Sequence, residues 1–305
     1  MLQPAEHIAG ANNTFRIVPD SASSNTLALA RATPRWQLVA ILAGLAMLGP
    51  FAIDTYMPSF RAIGADLKAA PIEVQQTLSV YLLAFAFMLL FHGALSDALG
   101  RRAVILWSLV AFFIGSLGCA LSFDIQTLWF FRAVQGAAAG AGMVVGRAMV
   151  RDLFHGSQAQ RVMSHITLVF GLAPAIAPII GGWLQVAFDW HAIFVLLAAI
   201  SAALLWLAYA KLPESLPTQA RVAFHPIALL RGYRSVFGSR RFLLLACAVG
   251  FNFSAFFLYI AAAPVFIMDI LGLGENQFAW LFIPGIAGIM LGAYISGRVA
   301  GRLTP

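Results

Sequence analysis

Uninterrupted apolar stretches of about 20 residues recur along this sequence. A helix of about 20 apolar residues crosses the roughly 30 Å hydrocarbon core of a bilayer. Only helices and closed barrels satisfy their backbone hydrogen bonds there, so repeated stretches of this length indicate an all-α polytopic membrane protein. Eight spans are predicted, at residues 36–60, 74–95, 103–122, 127–149, 164–187, 191–211, 242–268 and 277–297.

The composition excludes the soluble classes. Charged residues make up 10% of the 305-residue chain and hydrophobic residues 61%, whereas an ordinary soluble domain is roughly 25% charged. The net charge is +7, and the basic residues lie in short gaps between apolar stretches. This distribution indicates membrane topology and not a nucleic-acid partner. Cys119 and Cys247 lie in apolar stretches and the six histidines lack metal-ligand spacing, so neither a disulfide framework nor a metal site is predicted.

The distribution of Lys and Arg predicts the orientation. Sixteen of these residues fall on one side of the predicted spans, and only Arg61 and Lys68 fall on the other. Loops rich in Lys and Arg stay in the cytoplasm, so the amino terminus is expected there.

A proline-containing basic segment divides the chain. Span one ends with Asp54–Pro58 and span seven with Ile260–Pro264, a faint repeat that fits two parallel units. The predicted regions are a disordered cytoplasmic tail (1–35), an N-terminal six-helix bundle (36–211), a basic cytoplasmic linker (212–241) and a partial second bundle of two helices (242–305).

Two charged residues lie well inside predicted spans and away from the span ends, Asp54 in span one and Arg132 in span four. Charges in hydrocarbon are costly and mark ion, proton or substrate pathways. Burial favours the neutral form of a carboxyl group, which makes Asp54 a candidate proton carrier. The alternatives are that Asp54 meets water at the outer interface or caps the helix, and that Arg132 is a static strut. A direct Asp54–Arg132 pair is a further possibility.

His92 and Asp97 have the His-x4-Asp spacing of glycerolipid acyltransferases. They close a membrane span, so catalysis is not expected and the protein is predicted not to be an enzyme. Glycines at positions 136, 140, 142 and 146 of span four have small-xxx-small spacing, which permits close helix packing.

Several motifs resemble those of a known family. Gly93-x3-Asp97-x2-Gly100-Arg101-Arg102 resembles the signature between helices two and three of the major facilitator superfamily. Similar to signatures of its drug:proton antiporters are Asp54-x3-Pro58, Arg132-x2-Gln135-Gly136 and Pro178-x2-Gly181-Gly182. With Arg151-Asp152 and Trp190-x3-Phe194, their order resembles the bicyclomycin/chloramphenicol-resistance (Bcr/CflA) subfamily.

The resemblance implies a major-facilitator-type fold and proton-coupled efflux of drugs or related small molecules across a bacterial inner membrane by alternating access. Asp54 would bind the proton and contact substrate, and Arg132 would couple protonation to the conformational change. Asp97 and Arg101 would stabilise one state. Pro178, Gly181 and Gly182 would shape a bend in helix five. The energy source would be the proton gradient, with no cofactor.

Polar residues within the spans suggest which side chains line a substrate cavity. Tyr56, Gln135, Asn252 and Tyr259 are the candidates. The expected partners are drug-like small molecules, protons and the lipid bilayer.

Two other functions remain open. The family has twelve helices, whereas this chain ends after the eighth predicted span, so a truncated, non-transporting or degenerate membrane protein is one alternative. A facilitator or symporter for a polar metabolite is the other.

Overall fold

The structure, a computed structural model, describes residues 35–274 and, beyond them, residues 277, 283–285, 287–288 and 291. The predicted N-terminal tail and most of the eighth predicted span lie outside the described residues.

The described chain is helical, and the predicted all-α architecture is confirmed. Among the described residues, six helical segments are long and apolar enough to cross a membrane, and they coincide with the first six predicted spans. In chain order the principal α-helices are α1 (Arg35–Asp54), α2 (Phe60–Asp66), α3 (Pro71–Leu99), α4 (Arg101–Ala120), α5 (Ile125–Leu153), α6 (Gly156–Ala187), α7 (Trp190–Lys211), α8 (Pro226–Phe237) and α9 (Arg240–Pro264).

Most helices extend further than the predicted spans. The first span continues through a short 3-10 turn at Met57–Ser59 into α2 and ends at Asp66, and α6 begins at Gly156 instead of residue 164. An apolar stretch marks only the part of a helix inside the hydrocarbon. The helix itself continues into the polar interface, where hydropathy no longer detects it.

Three helices begin with a carboxylate that accepts backbone N–H groups. Glu73 Oε2 lies 2.7 Å from the N atom of Ala70 at the start of α3, and Asp124 Oδ1 lies 2.7 Å from the N atom of Thr127 in α5. Asp189 accepts from the first turn of α7. Such caps satisfy donors that have no partner within the helix, which accounts for three of the few acidic residues.

Glycines let the bundle helices approach closely. A Cβ atom at Gly136 of α5 would overlap the carbonyl oxygen of Tyr81 in α3, and one at Gly142 would overlap that of Leu45 in α1. Small residues serve this purpose in membrane bundles, where close packing and not the hydrophobic effect holds helices together. These glycines therefore allow α5, the helix of span four, to pack closely against both α1 and α3.

The predicted linker is partly helical. α8 occupies residues 226–237 of it and meets α9 at a bend, and Pro226–Phe237 with Arg240–Ala255 form a bent pair at 84° that together qualifies as one apolar span. Pro226 favours helix initiation because proline is tolerated in the first turn, and the sequence analysis did not predict this helix within the linker. Pro213 and Pro217 precede the helix in an irregular stretch.

Much of α9 is exposed among its described residues, and burial resumes just after the helix ends. Leu244, Phe251 and Leu258 are each more than half exposed, whereas Ile267 and Met268, in the π-helical turn that follows α9, are buried. At the same end Arg61 of α2 forms an ion pair with Asp269.

Candidate functional site

The Arg132 guanidinium is the polar centre of the six-helix bundle. The residue lies in the first half of α5 and is fully buried. Its Nη1 atom donates to Gln135 Oε1 at 2.5 Å and to the carbonyl oxygen of Ala52 at 3.2 Å. Its Cζ atom lies 4.2 Å from the ring centroid of Tyr56 and 4.3 Å from that of Tyr81. Two acceptors and two aromatic faces thus offset part of the cost of burying this charge.

The groups around Arg132 are themselves held by hydrogen bonds from neighbouring helices. Gln135 Nε2 donates to Ser116 Oγ of α4 at 2.8 Å. The hydroxyl groups of Tyr56 and Thr77 are 3.0 Å apart, which joins the end of span one to α3. The polar centre therefore connects four consecutive spans through one guanidinium.

Tyr81 ties α3 to its neighbours in a second way. Its hydroxyl donates to the carbonyl oxygen of Gly49 in α1 at 3.1 Å, and its backbone lies against Gly136 of α5. Without the glycine at 136, α3 and α5 could not approach closely enough for the Tyr81 ring to cover Arg132.

Asp54, the last residue of α1, is 1% exposed, and its Oδ1 atom has no hydrogen-bond partner among the described residues. The considered Asp54–Arg132 ion pair is wrong, because within the described chain the guanidinium contacts the carbonyl oxygen of Ala52 and the side chain of Gln135 instead. Ala52, whose carbonyl oxygen accepts from Arg132, lies two residues before Asp54 in α1. Among the described residues Asp54 forms no ion pair, and a buried carboxyl group without a counter-charge is costly unless it is neutral.

The motif of Pro178, Gly181 and Gly182 lies on α6, the fifth spanning helix, and packs against the residue that follows Asp54. A Cβ atom at Gly181 of α6 would overlap the carbonyl oxygen of Thr55, the residue that follows Asp54. Pro178 and Gly182 are also buried, and α6 is one continuous α-helix that contains Pro178. A bend at these residues stays a prediction, but their position against the acidic residue is part of the structure.

The signature between spans two and three forms a tight corner. Gly100 separates α3 from α4 with φ of +100°, a backbone conformation that favours glycine. Asp97 forms an ion pair with Arg101 four residues later. Arg101 also donates from Nη1 to Ser96 Oγ at 2.5 Å, and its Nε atom lies 3.3 Å from Asp152 Oδ2 at the end of α5. Gly93 lies one helical turn before Asp97, and a Cβ atom there would make only an ordinary van der Waals contact.

Glu214, from the linker, completes this corner and was missed by the sequence analysis. Its carboxylate accepts from the backbone N atoms of Arg101 at 2.9 Å and Arg102 at 3.3 Å, and so caps α4. Its neighbour Ser215 donates to Asp152 Oδ2 at 2.7 Å. The only signal in the sequence was a single acidic residue at the start of a basic linker, next to a proline.

The four proposed cavity residues fall into two pairs. Tyr56 and Gln135 are fully buried and contact Arg132, whereas Asn252 and Tyr259 are exposed residues of α9. That the four line one substrate cavity stays a prediction.

His92 and Asp97 do not form a catalytic pair. His92 is buried between α3 and α5, where its Nδ1 atom would lie 3.4 Å from a Cβ atom at Gly140. Five residues of α-helix turn Asp97 to a different face, where it pairs with Arg101.

Comparison with known proteins places the chain in a family. Residues 39–305 match the Major Facilitator Superfamily. The chain is 33% identical over 262 residues to the bicyclomycin resistance protein homolog of Haemophilus influenzae, with 85% of this chain and 65% of the relative covered. It is 37% identical over 270 residues to the uncharacterized MFS-type transporter YdgK of Bacillus subtilis, with 88% and 67% covered. Multidrug resistance protein D of Escherichia coli is 28% identical over 267 residues, with 88% and 67% covered.

A solved structure supports the same fold. The human organic anion transporter MFSD10 superposes with a TM-score of 0.56 at 19% sequence identity, over 83% of this chain and 70% of that structure. The chain spans 65% to 67% of the length of the three curated relatives named above. The helical architecture, the signature between spans two and three and the match over residues 39–305 lead to one conclusion. This chain belongs to the Major Facilitator Superfamily.

Proposed function

We propose that the chain functions in proton-coupled efflux of drug-like small molecules across a bacterial inner membrane. The observation that carries the proposal is Asp54, a carboxyl group that is 1% exposed and has an oxygen atom without a partner. Such a group can hold a proton when no substrate is present and lose it when a substrate brings polar or cationic groups close. Relatives named for bicyclomycin and multidrug resistance support the substrate class.

The mechanism we propose is alternating access. Substrate from the cytoplasm or inner leaflet displaces the proton from Asp54, the bundles rock, and reprotonation from outside resets the transporter. A ligand shifts such an equilibrium only through different affinity for the two states, and the charge state of Asp54 supplies that difference. In this mechanism Arg132 of α5 stays in place and transmits the change through the Ala52 carbonyl group of α1.

The second charged cluster has a different role in this proposal. Asp97, Arg101 and Glu214 hold the corner between α3 and α4 against the linker. Because the linker leads to α9, the cluster favours one arrangement of the two parts of the chain. The positive charge on this side supports a cytoplasmic location and a cytoplasmic amino terminus.

The experiment that tests the proposal is drug-induced proton release in everted vesicles that contain the chain, with chloramphenicol, bicyclomycin and ethidium as probes. Asp54→Asn should abolish the release while membrane insertion is unchanged. Asp189→Asn is the matched control, because asparagine still caps α7, and it should behave like the wild type. If well-inserted wild-type protein releases no protons with any probe, the transport proposal is wrong for this chain.

A further inference from the structure

A groove lies on the outer surface of the bundle, between the start of α4 and the end of α7. Its volume is about 510 Å³. Trp107 and Tyr209 border it and are 73% and 68% exposed, so the groove opens outward. Because α4 begins and α7 ends here, the groove lies at one membrane surface, the side of the membrane that carries the linker.

One end of the groove is positively charged. The Nη2 atom of Arg102 donates to the carbonyl oxygen of Tyr209 at 2.7 Å, and the guanidinium lies 5.5 Å from the Tyr209 ring centroid. Arg221 of the linker approaches the same end and lies 3.6 Å from Glu214. The Nε atoms of both arginines are buried and have no hydrogen-bond partner within the described residues.

The carboxylate of Glu214 does not neutralise both arginines. Its oxygen atoms accept from three backbone N–H groups, those of Arg101, Arg102 and Leu216. Two guanidinium groups and one carboxylate, which already caps a helix, thus line this end of the groove. The charged end has a net positive charge, which attracts an anionic group such as a phosphate.

The rest of the groove is apolar and extends along the membrane normal. Leu106 and Val110 follow Arg102 at intervals of four residues on α4, and Leu205 faces them from α7. Eight residues of α-helix correspond to about 12 Å, so the apolar wall descends from the interface into the hydrocarbon. Trp107 and Tyr209 flank the charged end, the position that aromatic residues prefer at a membrane interface.

We propose that this groove binds one anionic phospholipid, with the phosphate at Arg102 and Arg221 and an acyl chain along Leu106, Val110 and Leu205. A positively charged end at the interface and an apolar wall below it match the two parts of a lipid molecule. A soluble anion would leave the apolar wall uncovered. Because Arg221 belongs to the linker and Arg102 to α4, the lipid fastens the linker to the corner between α3 and α4.

Native mass spectrometry of the delipidated full chain tests this proposal. Phosphatidylglycerol and phosphatidylcholine with the same acyl chains are added in parallel. We expect one molecule of phosphatidylglycerol to bind with a clear preference over phosphatidylcholine. Arg221→Ala should reduce that preference about fivefold, the effect of one basic residue near a membrane surface. Arg231→Ala, which removes the same charge from an exposed position of α8, should leave it unchanged.

A second variant tests the apolar part of the groove independently of the charge on the linker. Leu106→Trp fills the apolar part without changing charge, and it should lower lipid occupancy while thermal stability is retained. Equal binding of the two lipids, an unchanged preference in Arg221→Ala or an equal loss in Arg231→Ala would overturn the proposal. Displacement of the bound lipid by excess inorganic phosphate would also overturn it, since it would show a site for a free anion.

Discussion

Arg132 of α5 and Asp54 of α1 both lie at the end of α1, but their surroundings differ. The Nη1 atom of Arg132 has two acceptors, and two aromatic rings lie close to the guanidinium, whereas its Nε and Nη2 atoms and an oxygen atom of Asp54 have no hydrogen-bond partner in the described part of the chain. An arginine stays protonated in proteins, and a buried carboxyl group gains or loses a proton as its surroundings change. We therefore assign the variable charge to Asp54 and the fixed charge to Arg132.

Arg132→Ala is expected to destabilise the bundle by roughly 2–4 kcal/mol. The change leaves the Gln135 amide oxygen and the Ala52 carbonyl oxygen without their donor and removes the aromatic contacts, and a buried unpaired polar atom costs about 1–3 kcal/mol. Thermal unfolding in detergent measures the effect. Arg147→Ala, at an exposed position of the same helix, is the control and should change the melting temperature little. Equal effects in both variants would show that Arg132 has no special structural role.

The sequence identified both charged residues because charges inside apolar stretches are rare. It did not identify what they contact. Arg132 binds a backbone carbonyl group, and every residue carries one, so no sequence pattern distinguishes Ala52 from its neighbours. The aromatic rings of Tyr56 and Tyr81 are two among many aromatic residues in the spans, and only the packing of α1, α3 and α5 brings them to the guanidinium.

At the scale of elements, Gly181 of α6 permits the close approach of this helix to the chain at the end of α1. Gly181→Ala would place a methyl group on the carbonyl oxygen of Thr55 and force the two helices apart. We expect a marked loss of thermal stability in detergent and a loss of drug-induced proton release, since Asp54 precedes Thr55. Gly171→Ala is the matched control on the same helix, because a Cβ atom there meets nothing within 4 Å. Similar behaviour of the two variants would contradict this packing.

The cap on α4 gives a second prediction for an element. Glu214→Ala removes the acceptor of the Arg101 and Arg102 backbone N–H groups, at a cost of about 1 kcal/mol. Hydrogen–deuterium exchange should increase in residues 97–104 and 213–222. Glu214→Gln retains a side-chain oxygen and should show a smaller increase. If exchange in both segments is the same in Glu214→Ala and the wild type, the linker is not held in this way.

The elements differ in how well the sequence predicted them. The first six spans followed from hydropathy alone, because a membrane helix must be apolar over a fixed length. α8 was not predicted, because it is short, amphipathic and placed among prolines and arginines, which also suit an irregular linker. Glu214 caps a helix whose first residue is more than 100 positions away in the sequence. A pattern of neighbouring residues cannot predict such a contact.

For the whole molecule, the charge distribution predicts which surface faces the cytoplasm. In a background with Cys119→Ala and Cys247→Ser, Ala70→Cys should react with a membrane-impermeant maleimide in intact cells. Ala220→Cys should react only after the membrane is opened. Both alanines are exposed and lie at opposite ends of the bundle, so they form a matched pair. The reverse labelling pattern would refute the cytoplasmic location of the amino terminus.

The central claim is that Asp54 is the group that exchanges a proton for substrate. The most direct measurement is proton release by the purified chain in weakly buffered detergent as a drug ligand is added, with ligand binding followed in the same sample. We predict protons released in proportion to bound ligand in the wild type and in Asp189→Asn, and none in Asp54→Asn. Ligand binding without proton release in the wild type, or undiminished release in Asp54→Asn, would contradict the claim.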